Sequence, residues 1–358
     1  MTAGQSLADG AAGVALLHLE TGNWPAAYEA LRDATANGVS IAAGASLFYG
    51  APALAFLLAK TNHPGCARAR SIAASGTATV TRRRLDLAYR RIDSRQRPHY
   101  AEYDLIRGLT GLGVALRRVG DHDLLRQVLD YLVRLTEPLG DLPGWWCANG
   151  PDRNEPPPPG GHANLGLAHG ITGPLALLAL TLGDGITVAG HIEAINRICR
   201  WLDSWQQGRT SSTWWPQTLT LADLHHGTPA QQEPLRPSWC YGTPGIARAQ
   251  QLAALALGDT IRQCHAEAAF TACVNDPAQI RRITDRSLCH GTAGLLVTGR
   301  RITADALMPT TLTPLTRLHQ HATHTEDEST GLLDGTTGSD LAAADTTSTS
   351  WEACLLLI

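Results

Sequence analysis

The sequence lacks a pronounced charge of either sign. Among its 358 residues, 29 are Lys or Arg and 32 are Asp or Glu, which gives a formal net charge of −3. The arginines between Arg82 and Arg91 have neither interleaved aromatic residues nor a surrounding excess of positive charge. They therefore indicate a solvated helix face rather than a nucleic-acid site. We expect no nucleic acid among the partners of this protein.

The chain also lacks a secretory signal and an uninterrupted apolar segment. Its first residues contain no basic region followed by an apolar core. The longest apolar run, residues 164–182, is interrupted by His169, three glycines and Pro174, which favours a buried helix over a transmembrane one. We therefore expect a cytoplasmic protein without a transmembrane segment. In that compartment the eight cysteines stay reduced and form no disulfide framework.

What the sequence does contain is a repeat, a G-x-x-G motif followed by an apolar run. Six copies keep both glycines, and the second copy has Ala53 in place of the last glycine. The copies begin at Gly10, Gly50, Gly108, Gly170, Gly242, Gly291 and Gly335. The intervals have room for two helices each, and their periodicity predicts further helices over residues 123–135, 189–205 and 260–272.

The unequal repeat lengths favour a closed ring over an open solenoid, whose repeats are near-constant in length. We predict an all-α fold, an (α/α) toroid of seven helix-pair repeats whose inner helices open at the G-x-x-G motifs. Residues 1–358 are expected to form a single domain. The spacing provides seven inner helices but room for only six outer ones. In a closed ring, equivalent positions of all the repeats converge at one end.

Two copies of the repeat carry potential metal ligands. Cys240 and Cys289 each stand two positions before the first glycine, and His290 follows the second cysteine. They belong to the fifth and sixth repeats, which are neighbours in a ring, so a separation of 49 residues becomes a short distance. Two thiolates and an imidazole suit zinc, and a set of three ligands leaves a position open. The alternative is two buried thiols beside a core histidine.

A zinc ion with two thiolate ligands acidifies a bound water only weakly and is better suited to binding a thiol. It would lower the thiol pKa, normally near 8.5, and present a thiolate at neutral pH. We infer thiol activation for addition or alkylation, with one zinc ion per chain.

Four other residues are candidates for the chemistry. His169 occupies the position equivalent to His290 and is either a general acid or base or a structural histidine. Asp104 lies four residues before Gly108, where it could orient a histidine or cap a helix. Arg236, four residues before Cys240, could stabilise an oxyanion or lie on the surface. Tyr241 could donate a proton or serve only in packing.

Three stretches closely resemble motifs of the lanthionine synthetase C-like family, the cyclases of lanthipeptide biosynthesis. They are SWCYGTPG (238–245), CHGTAG (289–294) and GLAHGITGP (166–174). The resemblance extends through all seven glycine motifs. It implies an α/α toroid with a single zinc, which adds a peptide cysteine thiol to dehydroalanine or dehydrobutyrine and so forms lanthionine or methyllanthionine rings.

The resemblance also implies roles for individual residues. The implied zinc ligands are Cys240, Cys289 and His290, with the substrate thiolate in the open position. The implied catalytic residues are His169, Asp104, Arg236 and Tyr241. Among these, His169 is the first candidate for protonating the enolate that follows attack of the thiolate on the β-carbon.

The absence of an upstream dehydratase or kinase-like region makes the chain similar to the stand-alone type of cyclase. The implied partners are a dehydrated precursor peptide, a separate dehydratase and an export or modification complex. The expected location is cytoplasmic, either free or peripherally associated with a membrane-bound biosynthetic complex. Two alternatives are a zinc-thiolate toroid of the protein prenyltransferase type, which uses Asp, Cys and His ligands, and a non-catalytic peptide- or glutathione-binding relative.

Overall fold

The computed structural model describes residues 3–61, 63–151, 156–209, 212–308, 311–322, 329–346 and 348–358. Within these ranges the chain forms sixteen α-helices and one two-stranded sheet. In chain order the helices are α1 (Ala11–Glu20), α2 (Trp24–Thr35), α3 (Ala51–Leu58), α4 (Ala67–Asp93), α5 (Tyr100–Tyr103), α6 (Leu109–Val119), α7 (His122–Leu135), α8 (Thr172–Gly183), α9 (His191–Ser204), α10 (Leu221–His226), α11 (Thr243–Leu257), α12 (Thr260–Val274), α13 (Pro277–Ile280), α14 (Thr292–Ala304), α15 (Thr313–His321) and α16 (Thr336–Ala344). The antiparallel strands are β1 (His162–Asn164) and β2 (Thr218–Thr220), with Ala163 opposite Leu219.

Seven helices form a closed inner ring. They are α1, α3, α6, α8, α11, α14 and α16, and each begins within two residues of the first glycine of its motif. Each contacts the next one along the chain, and α16 contacts α1. The inner helices are apolar around most of their circumference, as expected for helices that are covered on all sides. The predicted all-α toroid is confirmed.

The outer layer consists of α2, α4, α7, α9, α12 and α15, each packed on the inner helix that precedes it. The three helices predicted in the gaps are confirmed as α7, α9 and α12. In the described part of the chain, six outer helices thus accompany seven inner ones, as the spacing predicts. None of these helices is both long and apolar enough to cross a bilayer.

The last glycine of each motif is required by close packing of the backbone. A Cβ atom on Gly245 would lie 2.1 Å from the carbonyl oxygen of Trp239, and one on Gly294 would lie 2.0 Å from that of Leu288. The same approach, between 2.0 and 2.6 Å, recurs in all six copies that keep this glycine. The motif therefore marks the start of each inner helix, where the chain before the helix packs closely against the first turn of the helix.

These turns are joined to one another by backbone hydrogen bonds that run around the ring. The N–H of Ala168 donates to the carbonyl of Cys240 (3.1 Å), and the N–H of Cys240 donates to that of Cys289 (3.2 Å). The N–H of Cys289 donates to Leu333 (2.9 Å), and that of Leu333 donates to Ala8 (3.1 Å). The last bond joins the seventh repeat to the first. The two cysteines of the motifs are therefore direct neighbours at one end of the ring.

After α16 the chain forms a short 3₁₀ helix, Trp351–Leu355, instead of a further outer helix. This C-terminal segment, residues 351–358, is almost wholly buried. Arg117 of α6 and Arg248 of α11 donate hydrogen bonds to the carbonyls of Ile358 and Leu357. The segment thus packs between inner helices of separate repeats and fills space inside the ring.

Candidate active site

The structure brings the three predicted metal ligands together. The ligand atoms of Cys240, Cys289 and His290 all lie within 4.8 Å of one another. Cys240 is buried, whereas Cys289 and His290 are half-buried. Two sulfurs and one ring nitrogen converging from two adjacent turns match the donor set that zinc prefers. Across the residues that the structure describes, this is the one group of three or more such side chains with that geometry.

The electrostatics of the cluster favour a bound cation. A hydrogen bond from the Cys289 thiol and another from the His290 ring lower the pKa of Cys240 well below its usual value, despite burial. Hydrogen bonding to the Cys240 sulfur, together with burial, raises the pKa of Cys289. Hydrogen bonding within the cluster therefore favours a thiolate at Cys240, with the proton on the Cys289 thiol. A divalent ion would displace the second thiol proton and compensate both charges.

A second group, His169 and Asp104, lies on the adjacent turns of the ring. The Nδ1 atom of His169 is 2.6 Å from Oδ2 of Asp104, and the Asp104 side chain is completely buried. The other oxygen, Oδ1, accepts hydrogen bonds from the backbone N–H groups of Arg107 and Gly108, both at 2.7 Å. Asp104 thus contacts the imidazole, and instead of capping helix α6 it binds the backbone of the turn that precedes the helix.

Burial raises the pKa of Asp104, while the His169 ring and the Gly108 N–H act in the opposite direction. The His169 side chain is 29% exposed, so its Nε2 edge can meet a substrate while its Nδ1 edge is held by the carboxylate. This arrangement fixes the orientation and the tautomer of the imidazole.

Tyr241 lies on the other side of His169, with 6.0 Å between the two ring centroids. Its hydroxyl oxygen accepts a hydrogen bond from Nδ2 of Asn164 (3.1 Å), and the Asn164 Oδ1 accepts one from the N–H of Gly166 (2.9 Å). Burial raises the pKa of Tyr241, so its hydroxyl stays protonated at neutral pH. Tyr241 therefore packs against His169, and its protonated hydroxyl is held by Asn164.

Arg236 reaches the metal-ligand cluster through a carboxylate. Its Nη1 lies 3.8 Å from Oδ2 of Asp285, and the same oxygen lies 3.4 Å from Nε2 of His290. On the other edge of the His290 ring, Oδ1 of Asp334 lies 3.7 Å from Nδ1. Arg236 is about one third exposed and lies beside the metal-ligand cluster rather than on a distant surface.

Sequence reasoning missed two residues of this site, Asn164 and Asp285, and assigned no role to Asp334. A signal for the first two was present. Arg236 stands six residues before the first glycine of its motif, and Asn164 and Asp285 stand six residues before theirs. In a ring these three equivalent positions must converge, as the metal ligands do.

A second adjacent cysteine and histidine, Cys264 and His265, lie on outer helix α12, where the cysteine is exposed and far from any glycine motif. All eight cysteines, each within the described residues, carry free thiols. The predicted absence of a disulfide framework agrees with this finding.

Comparison with known proteins gives a consistent result. A sequence profile described as lanthionine synthetase C-like protein matches residues 2–356. The nisin biosynthesis protein NisC of Lactococcus lactis subsp. lactis is 26% identical over 204 residues, which span 54% of this chain and 48% of that protein. The alignment thus covers about half of that relative. A solved structure described as nisin cyclase superposes with a TM-score of 0.79 at 20% identity, covering 100% of this chain and 93% of the other. That likeness concerns the fold.

Proposed function

The chain belongs to the lanthionine synthetase C-like family, and we propose that it is a zinc-dependent lanthipeptide cyclase. It would add cysteine thiols of a dehydrated peptide to dehydroalanine or dehydrobutyrine residues of the same peptide, forming lanthionine and methyllanthionine rings. The observation that carries the proposal is the convergence of Cys240, Cys289 and His290 beside the buried pair of His169 and Asp104. Residues 1–358 would act as a single cyclase domain.

The ligands proposed for zinc are Cys240, Cys289 and His290. Their two sulfurs and one nitrogen suit that ion, and one zinc per chain is expected. Bound there, zinc would lower the pKa of a substrate thiol that reaches its open position. The remaining chemistry is assigned to side chains of the chain itself.

The reaction is an addition in which no atom is lost. The substrate thiol gives up its proton, a sulfur–carbon bond forms at the β-carbon, and the electrons of the carbon–carbon double bond move towards the carbonyl. The enolate that results must then be protonated at the α-carbon. We assign this proton transfer to His169, because its Nδ1 edge is held by Asp104 and its Nε2 edge faces outwards.

Two further residues are assigned to stabilisation of the enolate. Arg236 supplies a positive charge on the open side of the metal-ligand cluster, where it can stabilise negative charge on the carbonyl oxygen. The hydroxyl oxygen of Tyr241 accepts a hydrogen bond from Asn164, so the hydroxyl hydrogen can be donated to the substrate. Both contacts would strengthen as negative charge develops in the transition state.

The proposed substrate and partners follow from this chemistry. Dehydroalanine and dehydrobutyrine arise by dehydration of serine and threonine, so a separate dehydratase must act before this enzyme. The relatives are named for the biosynthesis of nisin and as a nisin cyclase, which supports a dehydrated precursor peptide as the substrate class. We propose that these steps take place in the cytoplasm, in contact with a modification and export complex.

The test is to incubate the zinc-loaded chain with a dehydrated peptide that contains cysteine. Ring formation consumes free thiol while the peptide mass stays the same, as measured by thiol alkylation and mass spectrometry. Addition of a prenyl group would raise the mass instead, and a binding protein would leave the thiol intact. Persistence of every free thiol with zinc-loaded protein would refute the proposed activity.

A further inference from the structure

Arg236 and Asp285 occupy equivalent positions in neighbouring repeats. Arg236 lies four residues before Cys240, and Asp285 lies four residues before Cys289. The ring places the two side chains against each other, with 3.8 Å between Nη1 of Arg236 and Oδ2 of Asp285. A negative charge thus stands beside the sixth-repeat metal ligands at the place where the fifth repeat has a positive one.

The Asp285 carboxylate is fixed through its other oxygen. Oδ1 accepts a hydrogen bond from the N–H of Ser287 (2.9 Å), at the start of the turn that carries Cys289 and His290. The same oxygen lies against Gly291, where a Cβ atom would approach it to 2.2 Å. Only glycine leaves room for the carboxylate at that point. The side chain is therefore held in place by the turn whose ligands it faces.

The free oxygen of Asp285 is directed at two residues assigned to the site. Oδ2 lies 3.4 Å from Nε2 of His290 and 3.8 Å from Nη1 of Arg236. A carboxylate held beside the imidazole of a ligating histidine restrains the orientation of the ring and increases its basicity. The same charge restrains the Arg236 guanidinium beside the cluster.

Asp334 provides a comparison within the same site. Its Oδ1 lies 3.7 Å from Nδ1 of His290, and its side chain is 65% exposed, against 31% for Asp285. Solvent screens the charge of the more exposed Asp334 more strongly, so it acts less on the imidazole than the charge of Asp285 does. The two acidic residues therefore differ in how firmly they are held rather than in their chemistry.

We propose that Asp285 is a positioning residue that orients the His290 imidazole as a metal ligand and holds Arg236 beside it. This inference rests on the proposed zinc site. A single carboxylate would then hold both the proposed metal ligand, His290, and the residue proposed to stabilise the oxyanion, Arg236. The consequence is that Asp285 governs zinc affinity as well as turnover, and does so more strongly than the more exposed Asp334.

The test compares Asp285→Asn with Asp334→Asn in the full chain. Zinc affinity is measured by competition with a chromophoric chelator, and cyclisation is measured on the dehydrated peptide. Asn at 285 can still accept the Ser287 hydrogen bond but presents no negative charge to His290 and Arg236. We expect Asp285→Asn to weaken zinc binding by about 10- to 100-fold and Asp334→Asn to weaken it less, because the Asp334 side chain is more exposed. Asp285→Glu should recover part of the affinity because it restores the charge.

The outcomes separate the two proposals. Wild-type zinc affinity in Asp285→Asn, or an equal loss in Asp334→Asn, would overturn the role of Asp285. A wild-type chain that binds zinc and closes no ring would contradict the proposed function and leave the role of Asp285 to be decided by the affinities. A wild-type chain that binds no zinc would overturn both. Thermal unfolding of each variant shows whether a loss of zinc affinity is caused by misfolding. If Asp285→Asn is misfolded, the zinc affinity of Asp285→Glu decides whether the charge at position 285 is needed.

Discussion

At the scale of single residues, the site uses the two oxygens of a carboxylate for different purposes. Asp104 binds the turn before α6 with one oxygen and His169 with the other. Asp285 holds its own turn with one oxygen and faces His290 with the other. In each case the backbone fixes the carboxylate, and the carboxylate in turn fixes an imidazole. The geometry of the site is therefore determined by the turns that bear it.

Replacing His169 with Ala should separate chemistry from metal binding. Because the ring is assigned to proton transfer and lies outside the ligand set, we expect the cyclisation rate to fall by about 10²- to 10⁴-fold while zinc content stays at one per chain. Asp104→Asn keeps the hydrogen bonds to the turn and removes the charge at Nδ1, so it should also slow the reaction. Cyclisation rates and zinc content are measured for each variant. Unchanged turnover in His169→Ala would exclude His169 as the proton donor.

Replacing Cys289 with Ala should abolish both zinc retention and ring closure, since only two ligands remain. Helical circular dichroism should be unchanged, because the side chain is small and lies at the end of the ring. Cys264→Ala is the matched control, as that thiol is exposed on outer helix α12. It should retain full zinc content and activity. Wild-type activity in Cys289→Ala would refute the ligand assignment.

At the scale of secondary-structure elements, the start of each inner helix is the critical unit. The turn, the missing Cβ atoms and the backbone hydrogen bonds between repeats together place one polar position per repeat at the end of the ring. The outer helices have no such constraint and differ in length from nine residues in α15 to 27 in α4. Function is thus concentrated in the turns.

Two glycine-to-alanine substitutions test whether close backbone packing at the start of an inner helix requires glycine. In Gly294→Ala the new Cβ would lie 2.0 Å from the carbonyl oxygen of Leu288, so the turn must shift. We expect a loss of about 1–3 kcal/mol in the free energy of unfolding, together with weaker zinc binding. Gly183→Ala, at the exposed end of α8 with no neighbouring atom within 4 Å, should be neutral or stabilising by up to about 1 kcal/mol. Equal effects in urea titrations would contradict the packing argument.

At the scale of the whole molecule, closure of the ring depends on the C-terminal segment as well as on α16. Oxygens of Glu20 at the end of α1 accept hydrogen bonds from the N–H groups of Ser348 (2.5 Å) and Thr349 (2.7 Å). Deeper in the ring, the indole of Trp239 donates to the carbonyl of Leu355 (2.9 Å). Residues 348 and 349 thus contact the seam between the first and last repeats, and the C-terminal segment that follows them contacts the residue adjacent to Cys240.

Trp351 should be the main apolar anchor of this segment. It is 1% exposed, and its removal leaves a large cavity, so Trp351→Ala should cost about 3–5 kcal/mol in the free energy of unfolding. The control Tyr28→Ala removes an aromatic ring that is 51% exposed and should change stability by no more than about 0.5 kcal/mol. Similar denaturation midpoints for the two variants would show that the segment does not support the ring.

Glu20 makes the seam sensitive to acid. Burial opposes its ionisation, but hydrogen bonds from Thr349 and Ser348 outweigh that effect and lower its pKa below the usual value. A carboxyl group with a lowered folded-state pKa contributes stability above its unfolded pKa, about 4.3, and loses that contribution as the pH falls through the folded value. The stability difference between wild type and Glu20→Gln should thus be constant above about pH 5.5 and shrink below pH 4. A pH-independent difference in unfolding free energy would contradict this.

The sequence by itself determined the repeat, the inner helices and the identity of the metal-ligand candidates. Glycines at fixed spacing report a local steric requirement, which any copy of the motif displays on its own. Cysteine and histidine at equivalent positions could therefore be placed together as soon as the repeats were taken to form a ring. The count of seven inner and six outer helices followed from the number and spacing of the glycine motifs.

Only the tertiary structure decided which side chains face the ligands from neighbouring turns. Asn164 and Asp285 share with Arg236 the position six residues before the first glycine, but this equivalence identifies site residues only once the turns are known to be adjacent in space. Residues 351–358 are likewise buried because the inner helices leave space for them inside the ring. No local sequence pattern predicts that space. Local steric requirements are written in the sequence, whereas contacts between repeats depend on how the ring closes.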